Sequence, residues 1–258
     1  MKVQVLLSTM FQTDYSLLKK VNIQSDAIVV NQCDYNKFEE FNYDGYTIQY
    51  FSFNERGVGL SRNTALMRAD GDICIFADDD LTYVNNYKEI ILGEFKKNPQ
   101  ADIIVFNVPS TNNHRPTCII RRNSRVKWYN SLRYGAVNIA IRTEKIKRAN
   151  IYFSLLFGGG AKYSAGEDSL FIMDSLRKGL KIYASSQTIG YVKQEYSSWF
   201  EGYTEKYFFD KGVFFACLSK RWAKLLCLYF VVRHRKMLKK EKKISEAIAL
   251  MIKGTRAI

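Results

Sequence analysis

A doubly wound, mostly parallel α/β sheet is the fold class this sequence predicts, and three observations carry it. Short apolar runs alternate with stretches of helical spacing, the order that builds a parallel sheet with helices on both faces. The 258 residues are 47% apolar and 14% aromatic, enough to fill a sizeable core. Only three prolines occur, and no linker or internal repeat divides the chain, so one large domain with an appendage is expected.

Taken in order, Val3–Leu7 reads as a first strand, Thr13–Lys20 as a helix, Ala27–Val30 as a second strand and Tyr46–Phe51 as a third. Gly59–Ala69 has helical spacing through Leu60, Ala65 and Leu66. Ile73–Ala77 is a wholly apolar fourth strand. Tyr87–Lys97 is a helix ended by Asn98-Pro99, and Asp102–Val108 is a further strand. After Pro109 the pattern becomes polar and irregular, with strand pieces expected near Cys118–Arg121 and at Val137–Arg142. A helix over Glu167–Lys178 closes on Gly179. This divides the chain into residues 1–218, with halves 1–109 and 110–218, and a tail over 219–258.

Charge is unevenly spread. Of the net +14, residues 219–258 contribute +10, from 12 Lys/Arg against 2 Asp/Glu. A basic tail implies an anionic partner. The five cysteines are scattered without metal-binding spacing and only two histidines occur, so buried free thiols are expected and a zinc site is not. Met1–Leu7 is too short for a secretory leader, and no run reaches the ~20 apolar residues of a membrane span. A protein that is not integral, in a reducing cytosol, is the expectation.

In a doubly wound sheet, ligands sit beyond the carboxyl ends of the strands. There the strand Ile73–Ala77 ends in Asp78-Asp79-Asp80. Three adjacent carboxylates repel one another unless a cation offsets them, and a hard divalent ion with oxygen ligands suits them; a solvated acidic turn is the plainer alternative. Upstream, Arg56-Gly57-Val58-Gly59-Leu60-Ser61-Arg62-Asn63 enters a helix with glycines and two arginines, fit for phosphate, although Arg on a first turn is often only a surface charge. It lacks the Walker spacing, as does Gly160-Ala161-Lys162-Tyr163-Ser164. Further on, Gly166-Glu167-Asp168-Ser169 opens a helix with two carboxylates. They would serve a proton transfer or simply favour the helix start.

Together these residues resemble the inverting GT-A glycosyltransferases of family 2. The match runs through Gly57 to Asn63, Ala69-Asp70-Gly71-Asp72, Ile73–Ala77, Asp78–Asp80 and Glu167-Asp168, over roughly residues 1–215. The resemblance implies a GT-A fold with a Rossmann-like nucleotide-binding half. It also implies a nucleotide-sugar donor, by default a UDP-sugar, and a Mn²⁺ or Mg²⁺ ion. By it, Asp80 holds the metal, Asp78 the metal or the ribose, and Asp79 assists. Ser8 and Thr9 line the nucleotide, and Arg62 and Asn63 contact the nucleotide or diphosphate. Asp168 is the base, and Glu167 orients acceptor or donor. Where the family often has a base-recognising Asp after the second strand, this chain has Asn31-Gln32-Cys33-Asp34; the Asn31 amide can still pair with an imide edge. Trp199 would pack an acceptor sugar, and Lys206 or Lys211 would touch the diphosphate, unless Phe208, Phe209, Phe214 and Phe215 mark the segment as core.

The tail joins Trp222, Leu225, Leu226, Tyr229 and Phe230 to the cationic run Arg233–Lys240, the composition of basic amphipathic helices lying on an anionic membrane surface. A solvated helix or an oligomer contact is the alternative, and no nucleic-acid motif appears. The expected function is sugar transfer to a glycan or lipid-linked oligosaccharide in bacterial surface-polysaccharide synthesis. The expected place is the cytoplasmic face of the membrane, peripherally bound. A non-catalytic membrane-surface scaffold and a sugar nucleotidyltransferase are the competing readings. The acidic triplet argues against the first, and the lack of a Gly-rich loop with a following Lys at the first strand argues against the second.

Overall fold

The computed structural model of the chain describes residues 1–194, 202–235 and 243–258. Val3–Met10 forms β1, and Ser16–Val21 forms α1. Asp26–Gln32 is β2, Lys37–Tyr43 β3 and Tyr46–Phe53 β4. Val58–Arg68 is α2, Ile73–Asp78 β5, Leu81–Tyr83 β6, Tyr87–Lys97 α3 and Ile103–Asn107 β7. Next come β8 (Ser124–Val126), β9 (Ile139–Arg142), α4 (Thr143–Arg148), α5 (Glu167–Arg177), β10 (Ile182–Thr188) and β11 (Gly190–Val192). The helices α6 (Glu205–Leu218), α7 (Ala223–Arg233) and α8 (Ile244–Gly254) end the chain.

Among the described residues, nine strands form one sheet in the order β3-β4-β2-β1-β5-β9-β7-β10-β8. β4, β2, β1, β5, β7 and β10 run one way, and β3, β9 and β8 run against them. The mostly parallel sheet is as the sequence predicts. Its central strands β1 and β5 are buried along nearly their whole length, as near-continuous apolar runs require when helices cover both faces. One face packs Leu17, Leu18, Tyr87, Ile91 and Phe95 of α1 and α3. The other packs Ala65, Leu66, Ile146, Phe171 and Ile172 of α2, α4 and α5.

Several elements depart from the sequence reading. The edge hairpin β3–β4 was not expected from the polar stretch Lys37–Tyr43, yet Asp44 (φ 49°) and Gly45 (φ 87°) make the left-handed pair that a tight hairpin turn needs. The strand piece expected at Cys118–Arg121 is irregular. Its role falls to β8, because Asn107 binds the backbone of Ile120 from both ends of its amide, at 2.9 and 2.7 Å, and holds that stretch out of the sheet. β9 slots antiparallel between β5 and β7. Gly179 follows α5 at φ 80°, where its N–H reaches the Leu176 carbonyl at 3.0 Å.

The C-terminal helices form a third apolar cluster. Phe208, Val213 and Phe214 of α6, Cys227 and Val231 of α7, and Ala247 and Met251 of α8 pack with Phe157, Tyr163 and Leu170. The division at residue 218 therefore cuts through one cluster. α6 and α8 meet backbone to backbone: a Cβ on Gly212 would run into the Met251 carbonyl, and one on Gly254 into the Phe209 carbonyl. All five cysteines are free; Cys33, Cys74 and Cys227 are buried as expected, whereas Cys118 and Cys217 are half-buried. No helix among the described residues is long and apolar enough to cross a membrane.

Candidate active site

The carboxyl ends of β1 and β5 lie side by side, with Ser8 paired to Asp78. Onto that edge come the start of α2, which carries Arg62, and the start of α5, which carries Glu167 and Asp168. Gly166, at φ 138°, makes the second approach possible: a Cβ there would strike the Phe214 ring.

Arg62 is the hub. Its Nη2 donates to both oxygens of Asp78 at 3.0 and 2.9 Å, and its Nη1 donates to Glu167 Oε1 at 3.1 Å and Asp168 Oδ1 at 2.9 Å. The side chain is only 4% exposed, and the guanidinium lies 5.3 Å from the centre of the Phe153 ring. Burial disfavours its charge, but the carboxylates of Asp78, Asp168 and Glu167 outweigh that and raise its pKa. Burial raises the Asp168 carboxyl well above the ordinary carboxylate range; Glu167 and Asp78 push the same way, and Arg62 and the Ala136 N–H oppose them. About a quarter of the Asp168 side chain (26%) is exposed. A carboxyl so raised is poised as a proton acceptor nearer neutral pH.

The acidic triplet divides its tasks. Asp78 faces Arg62. Asp79 accepts from Thr9 Oγ1 at 2.8 Å. Asp80 is pushed up by burial and then by the charges of Asp78 and Asp79, while the Gln194 N–H stabilises its ionised form. No group of three His, Cys, Asp or Glu side chains converges into a cage among the described residues. A divalent ion at Asp80 would therefore take most of its ligands from water and donor phosphates, as Mg²⁺ does in nucleotide sites. The donor set fits it: Arg62 offsets Asp78, Glu167 and Asp168, which leaves Asp79 and Asp80 without an ion-pair partner among the described residues.

Other expected site residues are placed differently. Asn63 lies 8% exposed, donates from Nδ2 to the Phe153 carbonyl at 2.9 Å and accepts from the Phe153 N–H at 2.8 Å. It clamps the 150s loop to α2. Asn31 is fully buried; its amide spends both ends on the Gln12 backbone, each at 3.0 Å, so it orders the loop after β1 and does not reach for a base. Arg62 gives both terminal nitrogens to carboxylates, and its buried Nε has no partner among the described residues. Ser8 accepts from Ser61 Oγ at 2.9 Å, tying β1 to α2. Lys206 pairs with Asp210 at 2.5 Å. Lys211 sits among the rings of Tyr207, Phe214 and Phe230, at 5.6, 5.2 and 5.8 Å, and burial lowers its pKa. Trp199 lies outside the described residues.

At the mouth of β1, Phe11 was not picked out, whereas Arg56 was named as one of the two arginines fit for phosphate. Arg56 stacks on the exposed Phe11 ring at 4.7 Å and pairs with Asp34 at 2.6 Å. The signal for Phe11 was its place directly after β1, the usual mouth of such a sheet.

The family described as glycosyl transferase family 2 matches residues 23–153, just over half of the chain and including the triplet. No curated protein matches. Among solved structures, that of Staphylococcus aureus TarS residues 1–349 in complex with UDP-GlcNAc superposes with a TM-score of 0.70 at 17% identity, covering 99% of this chain and 82% of that one. The same fragment described without a ligand gives 0.66 at 16% identity over 99% and 81%. The fragment in complex with UDP gives 0.64 at 15% identity over 97% and 90%. At that identity the likeness speaks for the fold, which is GT-A, and the family match speaks for the chemistry. The chain belongs to glycosyl transferase family 2.

Proposed function

We propose that this glycosyltransferase moves a sugar from a UDP-sugar to a hydroxyl of a glycan, with Asp168 as the base and a divalent ion held at Asp80. The observation that carries the reading is the single guanidinium joining Asp78, at the donor end of β5, to Glu167 and Asp168 on α5. Arg62 fixes the spacing between the two carboxylate groups. Asp168, drawn up by burial, takes the proton of the incoming hydroxyl as that oxygen reaches the anomeric carbon. Glu167, which also accepts from the Gly166 N–H at 3.1 Å, keeps the first turn of α5 in place. Thr9 steers Asp79 at the nucleotide side. A bound Mn²⁺ or Mg²⁺ would offset the charge that develops on the departing diphosphate. With one base opposite the leaving group the displacement is single, and the anomeric configuration inverts.

A UDP-sugar is favoured by the GT-A likeness to TarS, which is solved with UDP-GlcNAc and with UDP. The acceptor we propose is lipid-linked, in bacterial surface-polysaccharide synthesis at the cytoplasmic face of the membrane. The basic composition of residues 219–258 supports this.

The test is nucleoside diphosphate release from a panel of nucleotide sugars, with and without Mn²⁺, for the parent and Asp168→Asn. The parent is expected to release UDP only with metal and acceptor. Asp168→Asn is expected to bind UDP with unchanged affinity and to lose transfer by 10²-fold or more, the scale of a lost base. Turnover retained in the variant would remove Asp168 from this role.

A further inference from the structure

We propose that the outer face of α7 is a docking surface for an anionic lipid bilayer, with the helix lying in the plane of the interface. The proposal sharpens the membrane placement suggested by composition and does not depend on the donor or the base.

α7 is apolar nearly all the way round, from Leu225 to Val232. Its inner face buries Ala223, Cys227 and Val231 against α6 and α8. A helix apolar on every side is ordinarily covered on every side, yet the outer face of α7 is bare. Trp222 is 52% exposed, Leu225 56%, Leu228 47%, Tyr229 58% and Val232 57%. At 3.6 residues per turn these five fall in one stripe roughly 120° wide.

The rim identifies the occupant. Lys224 edges the stripe on one side and Arg233 on the other. Lys220 and Arg221 stand before its start and Arg235 after its end, and no acidic residue occurs from 219 to 235. A second copy of the chain laid face to face on this stripe would bring cationic rims together, which disfavours self-association. An anionic bilayer meets both needs. Its acyl boundary takes Leu225, Leu228 and Val232, and its headgroups take the cations, whose stems lie along the apolar surface. Trp222 and Tyr229 carry the amphipathic rings that settle at headgroup depth. The Tyr229 hydroxyl accepts from Arg233 Nη1 at 2.8 Å, so ring and cation are held as one unit. Because no described helix is long enough to span, the face rests on the bilayer rather than crossing it.

The experiment is flotation of the full chain with vesicles of phosphatidylcholine alone or with phosphatidylglycerol added. The parent is expected to float with the anionic vesicles, to stay largely free with the neutral ones, and to dissociate as salt rises. Leu225→Glu with Leu228→Glu is expected to cut binding by roughly tenfold or more, since it sets charge in the apolar stripe. Lys224→Glu with Arg233→Glu is expected to do the same through the headgroups, at about fivefold per charge unit. Both variants should keep the parent's melting temperature and, in the absence of vesicles, its affinity for UDP, so loss of docking is separable from loss of donor binding. Equal binding to both vesicle types, or parent-like binding by both variants, would overturn the proposal. So would a parent that ignores vesicles and instead shows concentration-dependent self-association abolished by Leu225→Glu with Leu228→Glu, which would make the stripe a self-contact.

Discussion

At the α2–α5 junction one buried arginine faces three carboxylates at hydrogen-bond distance. On α7 the arginines and lysines stand in solvent around an apolar stripe, with no carboxylate from 219 to 235. The two regions hold the same kind of side chain and put it to different use. Inside, each charge has a named partner, so removing one leaves others buried and uncompensated. Outside, no single pair matters, and the sum of charges acts over a Debye length on whatever approaches. Buried charge thus sets a geometry, and exposed charge sets a long-range field.

The sharpest way to break this comparison is Arg62→Met, which keeps length and apolar volume and removes the cation. It is expected to cost on the order of 3–5 kcal/mol, as when one partner of a buried ionic group is lost, and to abolish transfer. Urea unfolding followed by far-UV circular dichroism measures the first. A variant within about 1 kcal/mol of the parent, the scale of the error in such fits, would mean that the carboxylates are solvated and the junction is not a buried node. A smaller effect is expected from Asn63→Ala, which leaves the Phe153 N–H and carbonyl without partners: about 1–3 kcal/mol, read in the same denaturant titration. An unchanged midpoint would show that water replaces the amide.

The smallest effect concerns pH. In the fold the Asp168 carboxyl is raised, first by burial and then by Glu167. Above the ordinary carboxylate range the unfolded chain has released a proton that the folded chain still holds, so stability falls as pH rises through that window. Asp168→Asn does not titrate and should lack this fall. Melting temperatures of the two proteins across the window compare them directly, and parallel curves would place Asp168 in an environment like bulk water.

How far the site was legible follows from which residues are local in sequence. The apolar run Ile73–Ala77 and the acidic turn after it share one strand, so periodicity and composition found both. The pairing of Arg62 with Asp168 spans 106 positions; motif order suggested that the two meet, but nothing in the sequence told what they do to each other. Asn31 and Asn63 show the limit most clearly. An amide offers a donor and an acceptor to a ligand or to a backbone equally well, and only the fold shows that Gln12 and Phe153 take them. The edge strand β3 was missed because Lys37–Tyr43 has too few apolar residues to read as a strand, although the Asp44-Gly45 turn was there to be seen. The spread of Lys/Arg did mark the tail as distinct, but not that α8 belongs with α6, because that union depends on Gly212 and Gly254 meeting across the sequence.

Those glycines bear on more than packing. Gly212 and Gly254 let α6 and α8 touch main chain to main chain, and α6 in turn presses Phe214 against Gly166 at the start of α5. The helical layer and the carboxylates of α5 are thus coupled without slack. If α7 seats on a bilayer as proposed, this chain of close contacts links its seat to the carboxylates of α5, and the attitude of the protein on that support would bear on the direction from which an acceptor enters.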